Sequence, residues 1–286
     1  MQTQELVSIA SQVRRDILRM VHGCQSGHPG GSLGCTDLLV GLYFEAMNLK
    51  LNATNDQVVF NMSGLGEDVF FLSNGHISPV LYSVLARKGY FPVKELSSFR
   101  KINSRLQGHP TPHEHLEGIR IASGSLGQGL SVAIGVAQAK KLNNDSSVVY
   151  CLMGDGEQNE GQVWEAAMYA PHHKVDNLIS FIDVNGQQID GPTEKIMNNR
   201  DLQMKYEAFG WKVLHVNGND MAELQKCLKD AKNLLGNETP IMILMKTEMG
   251  AGVDFMMGSH KWHGVAPNDQ QLEEALNQLS ETLGDY

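Results

Sequence analysis

Two short segments of this 286-residue chain place oxygen ligands in tight turns that follow apolar runs. The first is Gly154-Asp155-Gly156-Glu157, directly after the run at 148–153 and just before a helical pattern. Paired glycines let backbone approach a ligand closely, and a helix start offers unpaired N–H groups to an anion. Asp155 adds a hard carboxylate oxygen. The second segment is Asp183-Val184-Asn185-Gly186-Gln187-Gln188-Ile189-Asp190-Gly191, in which Asn185 lies 30 residues after Asp155. That separation is one strand–helix–strand unit, so parallel pairing would bring both side chains to neighbouring strand ends. A carboxylate, an amide oxygen, a main-chain carbonyl and two phosphate oxygens make a good shell for Mg²⁺ or Ca²⁺. Either segment alone reads equally well as an ordinary glycine turn; the spacing between them favours a site.

Four loops carry a histidine close to glycine: 26–31 with His28, 73–76 with His76, 107–110 with His109, and 258–264 with His260 and His263. The pattern suits imidazoles presented into a cleft, although a single loop histidine is most often a solvated one. His113, His115, His172 and His173 lack that context and read as surface residues. A zinc site on His260 and His263 has allowed spacing but no evident third ligand. The segment 122–129, Ala-Ser-Gly-Ser-Leu-Gly-Gln-Gly, looks like a phosphate loop but has neither the Lys-Ser/Thr ending nor the GxGxxG order. Close packing of a loop on a helix start explains it equally well.

These turns need elements to hold them. Helical periodicity runs over 4–20, and a Gly/His-rich loop is expected over 23–34. Thr36 and Asp37 offer an N-cap for a helix to about Met47. A strand at 69–72 and helices at 79–88 and 126–142 follow, with a loop at 107–124. Strands at 148–153, 178–184, 211–216 and 241–246 then alternate with helices at 161–169, 202–209 and 221–235. The strands read as continuous apolar runs, as strands buried on both faces do. The expectation is an α/β fold: one domain over 1–286, a parallel sheet with helices on both faces, and ligands at the carboxyl ends of strands.

Composition narrows the function classes. There are 23 basic and 32 acidic residues, a formal charge of −9, which disfavours a nucleic-acid binder. A mean hydropathy of −0.24 and the lack of a long apolar run give no sign of a membrane span. Four cysteines without a CxxC pair read as reduced thiols, and the polar, helical start lacks the form of a secretory signal, which together suggest a cytoplasmic protein.

Taken together, the segments resemble the amino-terminal half of transketolase. The likeness rests on SGHPGGSLG at 26–34, FFLSNGH at 70–76, LQGHP at 106–110, IASGSLGQG at 121–129, GDGEQNEGQVWEAA at 154–167, DVNGQQIDGPT at 183–193 and SHKWHG at 259–264, all in family order. The resemblance implies the thiamin-diphosphate-binding fold and a two-carbon ketol transfer in carbohydrate metabolism, as in the pentose phosphate pathway, with the cofactor as electron sink. It implies that Asp155 and Asn185 by side chain, and Gln187 by its carbonyl, ligate Mg²⁺ (or Ca²⁺ or Mn²⁺). Gly154 belongs to the cofactor turn, and the Gly156 and Glu157 amides would hold the diphosphate. Gly124 and Leu126 would touch the cofactor rings. His76 and His263 would lie by the diphosphate and reactive carbon. His28 and His109 would contact sugar hydroxyls or assist proton transfer. Glu160 would join a carboxylate network between paired sites, while Trp164 and Glu165 would serve helix packing.

The family's pyrimidine-binding and carboxyl-terminal domains, its activating glutamate and its phosphate-gripping arginines are not found in this sequence; the arginines here are scattered. The tail at 269–286 reads as a natural helical end. The expectation is therefore a split transketolase, in which a separate carboxyl-terminal subunit completes the site, the pair dimerises again, and sugar phosphates are the substrates. The stretch 52–67 is longer and more irregular than the family's. Alternatives are a related thiamin-diphosphate transferase or synthase with another donor, such as a sulfonated ketose, and a non-catalytic cofactor-binding or regulatory protein.

Overall fold

Five strands of this computed structural model, which describes residues 1–52 and 58–286, form one parallel sheet. In chain order these are β1 (Val69–Leu72), β2 (Val149–Gly154), β3 (Leu178–Val184), β6 (Lys212–Asn217) and β7 (Ile241–Lys246). A separate two-stranded hairpin supplies β4 (Gln187–Gln188) and β5 (Gly191–Pro192), followed by the single-turn α7 (Thr193–Ile196). The order across the sheet is β1-β2-β3-β7-β6. Alternate residues of β2 explain its unbroken apolar run: Val149, Cys151 and Met153 enter one core, Tyr150 and Leu152 the other. Helices therefore cover both faces, as the α/β expectation requires. On one face lie α1 (Thr3–Cys24), α3 (Thr36–Gly41), α4 (Ser78–Lys88) and α9 (Met221–Asn233), and on the other α5 (Gly129–Leu142), α6 (Gly161–His172) and α8 (Leu202–Phe209).

Several sequence expectations are corrected. Part of the loop expected over 23–34 is helical: α1 continues to Cys24, and Pro29–Gly34 forms α2, with Pro29 at the first helical turn where its missing N–H costs nothing. Thr36 and Asp37 cap nothing. The Thr36 hydroxyl donates back to the Ser32 carbonyl at 2.9 Å, and Asp37 is engaged by Arg14. The helix expected at 126–142 begins at Gly129, because Gly124 and Gly127 adopt φ of 125° and 83°. β6 is not a continuous buried run: only Val213 and Val216 are buried, one in the core on each face of the sheet, and Lys212, His215 and Asn217 are exposed. Glu165 is exposed, so it does not serve packing; Trp164 packs on Tyr206 and Phe209 as expected. The tail is helical only as α10 (Asp269–Gln278), after which the chain lies against α1 through Asp285, bonded to Arg15 and Gln12. Of the irregular stretch at 52–67, residues 53–57 lie outside the described residues; the described remainder is mostly coil, with Glu67 paired to Arg120. All four cysteines are free thiols. Among the described residues, no helix is long and apolar enough to cross a membrane.

Candidate functional site

Parallel pairing sets Gly154 opposite Asp183, and so carries Asp155 and Asn185 together beyond the carboxyl ends of β2 and β3. A cavity of about 350 Å³ opens there, reached also by segments following β1 and β7. Its lining includes His28, His76, Gly124, Leu126, Gly154, Asp155, Gly156, Glu157, Glu160, Asn185, Gln187 and His263. His109 is the one expected site residue outside that wall, but its ring lies 6.3 Å from that of His28. His113, His115, His172 and His173 are exposed. Among the described residues no three His, Cys, Asp or Glu side chains form a metal cluster, so no third such ligand joins His260 and His263.

Asp155 is held from several sides. Its Oδ1 accepts the Gly156 N–H and its Oδ2 the Gly186 N–H, both at 2.7 Å, while its carbonyl accepts Asn199 Nδ2 at 2.5 Å. Burial, reinforced by the nearby Asp183, still pushes its carboxyl up to about 7. Asp183 is fully buried and is raised by burial too; Thr247, Cys35 and Asn185 bond to it and oppose that rise. Asn185 Nδ2 donates to Asp183 Oδ2 at 2.7 Å, and the Asn185 Oδ1 accepts the Gln187 N–H at 2.9 Å. This fixes which end of the Asn185 amide is oxygen.

Glu157 has a role that its place in the turn conceals. Its buried carboxylate accepts the Ser73 hydroxyl, the Gly127 N–H at 2.8 Å and the Gly154 N–H at 3.0 Å, tying together the segments after β1, before α5 and at the end of β2. Glu160 is exposed at the rim, and the space a Gly127 side chain would take lies 2.8 Å from its Cβ.

The histidines form one cluster. The His28 ring lies 5.1 Å from His76 and 5.5 Å from His263, and His76 stacks on His263 at 5.1 Å. Burial holds His76 down to about 3, helped by His263, His28 and His109. Burial, His263, Arg100 and His109 hold His28 at about 4. His109 and His263 are lowered as well, chiefly by burial. All four imidazoles are therefore neutral at pH 7 and able to accept a proton or a hydrogen bond.

Sequence reasoning passed over Asn74, Asp183, Gln188, Ile189 and Met249, which line the same cavity. Asp183 had a readable signal: a carboxylate one residue from the end of a strand whose only other polar side chain is Ser180. Met249 had none, since its strand-end position depends on β7 being placed beside β3.

Neutral imidazoles and a carboxylate–amide pair at parallel strand ends define a cofactor-binding α/β domain. The family model described as "Transketolase, thiamine diphosphate binding domain" matches residues 6–282, and the chain belongs to the transketolase family. Over 283 residues it is 35% identical to one of the subunits of the apulose-4-phosphate transketolase of Phocaeicola vulgatus, covering 99% of this chain and 96% of that one. It is 36% identical over 270 residues to 6-deoxy-6-sulfo-D-fructose transketolase subunit SqwG of a Clostridium species, covering 94% of each. The crystal structure of Campylobacter jejuni transketolase superposes with a TM-score of 0.86 at 35% identity, over 97% of this chain but 43% of that longer one. The chain is thus a transketolase-type, thiamin-diphosphate-binding enzyme component.

Proposed function

We propose that residues 1–286 act as the diphosphate-binding subunit of a two-chain transketolase, which moves a two-carbon ketol unit from a ketose phosphate to an aldose phosphate. The observation that carries this reading is the single cavity that gathers Asp155, Asn185 and the neutral histidines at adjacent strand ends. The residues fit the cofactor. Asn74 Oδ1, Gln187 Oε1 and the Nδ1 atoms of His28 and His263 are buried with no hydrogen-bond partner among the described residues. Among the described residues no lysine or arginine pairs with the buried Asp155 or Asp183, so a divalent cation would relieve both. Asp155, Asn185 and the Gln187 carbonyl offer it hard oxygen donors, which suit Mg²⁺, Ca²⁺ or Mn²⁺.

Bound thiamin diphosphate supplies a nucleophilic carbon and an electron sink. Around it, the Gly154 and Gly156 turn and the Gly156 and Glu157 amides would hold the diphosphate, and Gly124 and Leu126 would face the rings. His76 and His263 would stand by the diphosphate and the reacting carbon, where neutral rings can take or return a proton. His28 and His109 would orient sugar hydroxyls, and Glu160 would bridge to a second site in a dimer of pairs.

Two observations favour a partner chain. Both relatives named as subunits are matched over nearly their whole length. The cavity lining, among the described residues, also contains no lysine or arginine, so the anionic end of a sugar phosphate would be gripped from another chain. The names of those relatives carry two different ketoses, which supports a second reading of the donor as an unusual, even sulfonated, sugar. A cytoplasmic setting is part of the proposal.

The test combines the chain with Mg²⁺, thiamin diphosphate and a candidate carboxyl-terminal transketolase subunit, then follows ketol transfer and the heat of cofactor binding. Transfer is expected only in the mixture. Robust turnover by the chain alone would refute the two-chain reading, and no binding heat with the partner present would refute the cofactor reading.

A further inference from the structure

Arg100 lies behind the cavity wall rather than in it. The dipeptide Phe99-Arg100 nevertheless touches the residue that precedes each of two site histidines. A side chain on Gly27, just before His28, would meet Val21 at 2.9 Å and the Phe99 ring at 3.3 Å. One on Gly108, just before His109, would meet the Arg100 guanidinium carbon at 2.5 Å. The guanidinium therefore rests on bare Gly108 backbone. From there its Nη1 donates to Ser26 Oγ at 2.9 Å, two residues before His28. The main chain bends to permit this, with Arg100 at a φ of 56° and its N–H on the Leu106 carbonyl at 2.9 Å. A left-handed conformation is uncommon away from glycine and marks a position fixed by its surroundings.

We propose that Arg100 is a positioning residue: its rigid guanidinium, seated on Gly108 and bonded to Ser26, sets the distance between the His28 and His109 rings. The inference rests on the transketolase reading for its consequence, since these two rings would then meet the same sugar. The planar fork matters, because a lysine ammonium carries the charge without spanning both loops. The charge leaves its own trace. The groups facing His28 are Arg100, His76, His109 and His263, and those facing His109 are Arg100, His28 and His76. Arg100 is the only permanent cation among them, and it depresses both imidazoles after burial has done most of the lowering. His263 answers instead to burial, Asp190 and His260, so it serves as an internal control.

The test is an NMR titration of histidine-labelled full chain, followed by turnover with the partner subunit. In Arg100→Met the His28 and His109 midpoints are expected to rise while His263 holds. Arg100→Lys is expected to keep both midpoints low yet lose about 10- to 100-fold in turnover, as misplaced reacting groups do. Gly108→Ala, which evicts the guanidinium without altering it, should reproduce the effect of Arg100→Met. Unchanged midpoints in Arg100→Met, an equal rise at all three histidines, or full turnover in Arg100→Lys would overturn the proposal. The titrations need neither cofactor nor partner, so they stand apart from the outcome of the two-chain assay.

Discussion

At Asp155, two demands oppose one another. Hydrogen bonds from Gly156, Gly186 and Thr193 favour the ionised carboxylate, whereas burial and Asp183 favour the acid. The folded chain without a cation therefore holds a proton that the unfolded chain gives up near the ordinary aspartate value of about 3.9. The stability contributed by this group is complete below that value and is lost as pH rises through about 7. A divalent cation must displace the proton to bind. The rise in melting temperature produced by Mg²⁺ with thiamin diphosphate should accordingly grow from pH 5 to pH 8, as differential scanning fluorimetry would record; a flat or falling profile would mean that Asp155 does not face the cation. The residues of this site were legible where glycine turns followed apolar runs, as at 154–157 and 183–191, and where glycine lay beside histidine in a loop. Arg100 was not legible, because its significance lies in touching two loops that are distant in sequence.

Among elements, the Glu157 carboxylate is the joint between β1, β2 and the start of α5. Replacing it with glutamine keeps the shape but turns an NH₂ group toward N–H donors that need an acceptor. Glu157→Gln is expected to cost about 1–3 kcal/mol in urea unfolding. It should also loosen the Gly127 turn, where an unaltered free energy would show that the joint carries no load. Element types were readable from periodicity and length; their ends were not. Helix α2 was hidden because its glycines read as loop, and only the close packing of Gly30 on Met249 and of Gly34 on the Glu248 carbonyl explains why small residues form a helix there. The buried reading of β6 holds only in part: Val213 and Val216 enter the cores on opposite faces, while Lys212, His215 and Asn217 stay exposed, and its place at the edge follows from a sheet order that no local pattern encodes.

For the whole molecule, sheet order decides where rigidity resides. β2 and β3 have a partner on each side and buried residues on both faces, while β6 has one partner and only Val213 and Val216 buried. Amide hydrogen exchange should therefore be slowest in 149–153 and 179–182 and markedly faster along 212–217; equal protection throughout would contradict this gradient. Aspartate and asparagine at the ends of the slowest strands would stand on the firmest ground the chain offers.

The same order constrains assembly during synthesis. β3 pairs on one side with β2, already made, and on the other with β7, whose residues follow some sixty positions later. Until residue 246 clears the ribosome, the central strand keeps an open edge, with β6 already made and nothing to attach it. Nascent chains shorter than that expose an unpaired apolar ribbon, so shielding by a chaperone is most needed in the interval before the last strand arrives.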